Sequence, residues 1–64
     1  MEFSDYLNAV YKCPKEWRYG QACFNTLLEM HPDLAEGVRG GPLDPYYKQP
    51  DELAEFFNYV KGAL

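Results

Sequence analysis

The chain has 64 residues, with ten acidic against six basic side chains, a net charge of −4 at pH 7, 47% hydrophobic and 17% aromatic residues. A length near the lower limit of unaided folding excludes two domains, and the ring content excludes a disordered segment, which could not offset its ordering entropy. The acidic balance repels a phosphate backbone and so argues against direct nucleic-acid binding, while no apolar run approaches the roughly 20 residues of a membrane span.

The elements follow in chain order. A first helix is predicted from about Ser4 to Lys12, with Ser4 as N-cap and Phe3, Tyr6, Leu7 and Val10 recurring at helical spacing as one apolar stripe. Proline suits the first position of a helix, where its missing N–H has no intrahelical partner. Four of the five prolines read that way: Pro14 in "CPKEW", Pro32 in "HPDL", Pro45 in "DPYY" and Pro50 in "QPDEL". The second helix is accordingly expected over about 14–30, with Trp17, Gly20, Cys23, Phe24, Leu27, Leu28 and Met30 on a wide inward arc and Arg18, Gln21, Asn25 and Glu29 opposite. A short third helix over 32–38 turns Leu34, Ala35 and Val38 inward and ends at the glycines of "RGG". "GPLDPYYKQ" is a connection with one helical turn begun by Asp44 and Pro45, and a last helix over 50–62 sets Leu53, Phe56, Phe57 and Val60 on one face. Threonine occurs once and isoleucine never, and no alternating β-branched run suggests a strand. The expected fold is all-α: a small single-domain bundle of three main helices plus one or two short helical turns. Charges agree with the helix dipoles, with Glu16, Asp33, Asp51 and Glu52 at expected starts and Lys12, Arg39 and Lys61 near expected ends.

The stretch "WRYGQACFNTLLEMHPDLAEGVRGGPLDPYY", residues 17–47, resembles a group of small uncharacterised proteins of bacteria and their phages. Their shared string runs as arginine, any residue, glycine, glutamine, two of any, phenylalanine and asparagine, then a proline helix start, "RG", and "DP" with two aromatics. The resemblance covers about half the chain and implies no activity, because the group has no established function. Where the group has threonine or serine after "RG", this chain has Gly41 and Pro42, which puts a hydroxyl contact in that loop in doubt.

Chemistry-bearing residues are few. Cys13 and Cys23 with the acidic start "MEFSDYLNAV" suggest free thiols in a cytoplasmic chain without a secretory signal. Adding His31, the only histidine, gives three ligands at spacings unsuited to structural zinc, so neither metal nor cofactor is expected. Cys13 could be activated at the start of the second helix, and His31 before a proline suits a cap or an exposed ring; no enzyme is expected from either.

Binding is the stronger expectation. Six tyrosines cannot all be submerged in so small a core beside Trp17 and four phenylalanines, and exposed tyrosine offers large contact area with a polar tip. Tyr46 and Tyr47, with Tyr19 or Tyr59, form the expected cluster. Arg18, Gln21 and Asn25 make a polar stripe, and Arg39 and Asp44 bracket the glycine loop. These polar residues either recognise a partner or hold the loop: Arg39 capping carbonyls or pairing with Asp44, Gln21 and Asn25 bonding loop backbone. The expected function is a small protein-binding module, a regulator or inhibitor from a phage or mobile element, or a bacterial adaptor, acting as a monomer or a homodimer. The alternative is an acidic mimic of nucleic acid working through Glu29, Asp33, Glu36, Asp51, Glu52 and Glu55.

Gly20 lies in the apolar arc, where glycine costs roughly 1 kcal/mol against alanine. Close approach of another element, such as a ring from the first or last helix, would recover that cost. Gly20→Val is therefore expected to destabilise the fold by about 1 kcal/mol or more through overpacking; an unaltered denaturation curve would contradict a buried position.

Overall fold

The computed structural model describes residues 3–64. Helix α1 spans Phe3–Tyr11, α2 Tyr19–Met30, α3 Pro32–Val38 and α4 Ala54–Ala63, and a single 3-10 turn, Pro50–Glu52, leads into α4. No strand occurs among the described residues, and the chain is all-α. No helix among the described residues is long and apolar enough to cross a membrane.

The proline reading holds for two of its four positions. Pro32 opens α3, with Asp33 in its first turn, and Pro50 opens the 3-10 turn, with Asp51 and Glu52 beside it. Pro14 starts only a turn closed by the Trp17 N–H on the Pro14 carbonyl at 3.1 Å. Arg18 then adopts extended backbone (φ −66°, ψ 154°), so α2 begins at Tyr19 and not at Pro14. Pro45 likewise starts a turn, closed by Lys48 N–H at 3.0 Å, and no helix follows it. The last helix is also later than expected, since Leu53 ends the 3-10 turn before α4 continues. Ser4 lies inside α1 instead of capping it.

α2 packs against both α1 and α3. Within it Gly20, Cys23, Phe24 and Leu27 recur at intervals of three and four and are buried, as a helix half-enclosed by neighbours requires. Tyr6 and Val10 from α1, Ala35 and Val38 from α3, and Leu53, Phe56 and Val60 close the core around them. Phe57 of α4 meets Phe3 edge-on at 6.1 Å between ring centroids. Trp17, expected at the centre, is only half-buried and lies in the connection before α2.

Tyr6 takes a central place that its phenol would not suggest. It is fully buried, and its hydroxyl donates to the carbonyl of Cys23 at 2.7 Å. A carbonyl has two lone pairs, so Cys23 can accept this bond while remaining in the helical ladder. The pair ties α1 to α2 at mid-length.

Gly20 has its answer here, one different in kind from the expected ring. An added Cβ would lie 2.0 Å from the Pro45 carbonyl oxygen and 3.0 Å from that of Lys48. Loop backbone, not an aromatic side chain, occupies the notch, and backbone cannot swing aside as a side chain can.

Burial pushes the Cys23 thiol up to about 12 from an ordinary 9.0, and burial, with Cys23 nearby, raises the Tyr6 phenol well above its ordinary 10.0. Both groups therefore stay protonated in the folded chain where the unfolded chain has begun to ionise. Their stabilisation is complete below about pH 9 and declines as pH rises toward 12. Tyr6→Phe is expected to cost about 1 kcal/mol at neutral pH through the lost hydrogen bond and to make the alkaline decline shallower. Urea denaturation followed by circular dichroism across that range tests it, and an alkaline profile matching the unmodified chain would refute the assignment.

Candidate functional site

The connection from Arg39 to Gln49 is irregular, yet its backbone is well supplied with partners. The Asp44 side chain supplies two of them. One carboxylate oxygen accepts the Gly40 N–H at 2.7 Å and the other the Tyr46 N–H at 3.0 Å. Gly40 has φ +72°, in the left-handed region that glycine enters without penalty. Asp44 N–H in turn bonds the Gly41 carbonyl at 3.1 Å, and the Lys48 ammonium donates to the Pro42 carbonyl. Pro45 is fully buried, which anchors the middle of the loop against Gly20.

The loop presents two tyrosines. Tyr46 is half-buried and meets Phe24 edge-on at 6.0 Å, while Tyr47 packs on Tyr46 at 4.9 Å and is 78% exposed. Arg18 crosses from the start of α2: its guanidinium donates to the Tyr46 carbonyl at 3.2 Å and lies 5.3 Å from the Tyr47 ring centroid. Arg39 sits over Phe24 at 5.4 Å and pairs with Glu36 at 3.0 Å.

These groups line an open, shallow cleft of about 320 Å³. Phe24, Asn25 and Leu28 of α2 form one side, and Arg39, Asp44, Tyr46 and Tyr47 the other. Five of the nine residues expected to bind a partner thus line one hollow, and Arg18 joins them through Tyr47.

The remaining three are placed elsewhere. Tyr19 packs edge-on against Phe57 at 6.2 Å and lines a shallow hollow with α1; burial raises its phenol pKa. Tyr59 is half-buried, with its hydroxyl 3.2 Å from the position a Cβ on Gly37 would take, so it packs α4 on α3. Gln21 is half-buried. The expected loop bonds of Gln21 and Asn25 do not form among the described residues, nor does the Arg39–Asp44 pair. Asp44 and Arg18 hold the loop instead.

A larger hollow of about 370 Å³ runs beside Trp17, Cys13 and Met30. Cys13 there follows α1, with Sγ 3.5 Å from the Ala9 carbonyl and 3.2 Å from Thr26 Oγ1. α2 starts at Tyr19, so the helix start that was to activate this thiol does not follow it directly in the chain. Cys13 and Cys23 are both free thiols. His31 joins α2 to α3 as a half-buried residue without a side-chain cap, its Nε2 enclosed and unpaired among the described residues. No cluster of three or more His, Cys, Asp or Glu side chains among the described residues could hold a metal ion.

No protein-family model, curated protein or solved structure matches the chain. The site must therefore be read from its own geometry.

Removing the carboxylate in Asp44→Ala is expected to cost about 1.5–3 kcal/mol, the range for hydrogen bonds to a charged group, and to speed amide exchange at Gly40 and Tyr46. Urea denaturation and hydrogen exchange measure the two effects. Unchanged protection at both amides would show that Asp44 does not hold the loop.

Proposed function

We propose that this chain is a small protein-binding module that docks the Tyr46–Tyr47 cleft on a larger protein and regulates or inhibits it by occupancy. The observation that carries this reading is Tyr47, a 78%-exposed ring on a loop whose backbone is clamped at both ends of Asp44. A large ring in water contributes little to folding, whereas in an interface it desolvates a large apolar area at small entropic cost because its loop is already ordered. Phe24, Tyr46 and Leu28 extend the apolar surface inward, and the polar groups at its edge match the composition of a binding patch. The small size favours action by contact over catalysis.

The test is capture of partners from a lysate of the encoding organism with tagged protein, comparing the unmodified chain with Tyr47→Ala. So exposed a ring is expected to leave stability within about 0.5 kcal/mol, while capture falls at least roughly tenfold, as for a central interface residue. Capture that survives Tyr47→Ala but disappears in salt and on neutralising Asp51, Glu52 and Glu55 would replace this reading with acidic mimicry. Light scattering of the purified chain tests a homodimer directly.

A further inference from the structure

Resting on the docking reading, we infer that the cleft takes an acidic peptide segment, with an apolar side chain against Phe24 and Tyr46 and a neighbouring carboxylate on the guanidiniums of Arg18 and Arg39.

The chain as a whole carries a net charge of −4, whereas at the cleft two guanidiniums, Arg18 and Arg39, balance the two carboxylates of Asp44 and Glu36. The one acidic residue lining the cleft, Asp44, has both carboxylate oxygens engaged by backbone N–H groups. Arg18 spends a single contact on the Tyr46 carbonyl and has no carboxylate partner among the described residues. A guanidinium carries five N–H donors, so its edge remains available. Arg39 is paired with Glu36, but the two side chains are 53% and 60% exposed, and such surface pairs are worth little and exchange readily. Both guanidiniums lie over aromatic rings that wall the cleft. A guanidinium held over a ring can still offer N–H groups to a carboxylate, which arginine is able to bind bidentately. Apolar walls beside two partly unspent guanidiniums complement an apolar residue with carboxylates next to it. A lysine-rich segment would meet like charge there.

The probe is an acetylated, amidated hexapeptide of sequence Glu-Asp-Phe-Leu-Asp-Glu titrated into isotopically labelled protein and followed by amide chemical shifts. Its lysine counterpart, Lys-Lys-Phe-Leu-Lys-Lys, and a short oligothymidylate are run beside it. The acidic peptide is expected to shift Asn25, Leu28, Tyr46 and Tyr47 and to bind more weakly as salt is added. Arg18→Gln should weaken it roughly two- to fivefold, the range for an exposed charge pair. Because Arg18 also supports the loop, Glu36→Gln provides an independent arm: it removes a negative charge beside Arg39 at an exposed position and should tighten binding of an acidic peptide. Failure of the acidic peptide to bind, preference for the lysine peptide or the oligothymidylate, shifts centred on α4 or on the hollow beside Trp17, or no gain from Glu36→Gln would each overturn the inference. The docking reading stands or falls separately. A partner captured through Tyr47 whose docking segment is neutral or basic removes only the acidic preference, whereas capture indifferent to Tyr47→Ala removes the docking reading itself.

Discussion

Carbonyl oxygens of the Pro45–Lys48 segment rest on the bare backbone of Gly20, at a distance that leaves no room for a methyl group. The placement of the aromatic cleft follows from that approach. Pro45 is buried by it, Tyr46 is brought beside Phe24 one helical turn further along α2, and Arg18, just before the helix, comes within reach of the Tyr46 carbonyl. Gly20 is the second residue of α2, where the backbone N–H has no intrahelical acceptor. The helical cost of glycine is smaller there than in mid-helix, so the close approach need recover less than the sequence pattern suggested.

Polar groups then convert proximity into order. The first part of the loop, Gly40, Gly41 and Pro42, is exposed and has little hydrophobic reason to hold one shape, and backbone groups further along must find partners as the loop leaves solvent. Asp44 serves two of the loop's backbone groups and Arg18 a third. Using the carboxylate in this way has an electrostatic side effect: its oxygens are engaged by N–H groups of its own loop, which leaves the guanidiniums of Arg18 and Arg39 without a bond to it. An acidic chain can in this way gather guanidiniums and rings at one place.

Much of the fold was legible because helix periodicity and chain punctuation point the same way. α3 agrees at both ends, Pro32 and Val38, since proline, an inward triplet and a following glycine coincide there. Pro14 misled because a proline N-terminus is a local signal, and the extended backbone at Arg18 answers to a tertiary demand, the seating of Gly20 on the loop. Trp17 misled for the same reason, having been counted on a helix that starts after it. Tyr6 was assigned to the α1 stripe, but its burial with a satisfied hydroxyl depends on the Cys23 carbonyl, 17 residues away. At the site, composition singled out the tyrosines and the bracketing of the loop by Arg39 and Asp44. The Arg18–Tyr46 bond spans 28 residues and leaves no trace in spacing. The separation of Tyr19 and Tyr59 from Tyr46 and Tyr47 depends on which face of α4 meets α2 and α3, a question of helix rotation that residue counts do not address.

Trp17, the one indole of the chain, stands half-buried in the turn between α1 and α2, outside the main cluster and on a different hollow from the tyrosine pair. Its emission therefore reports on the α1–α2 corner. Loosening of that corner would change the optical signal while the central packing stayed intact, and a ligand settling against Tyr47 would leave it nearly silent. The corner where Trp17 lies beside Tyr11 and Tyr19 consequently has its own native chromophore, and its state can be followed without an added label.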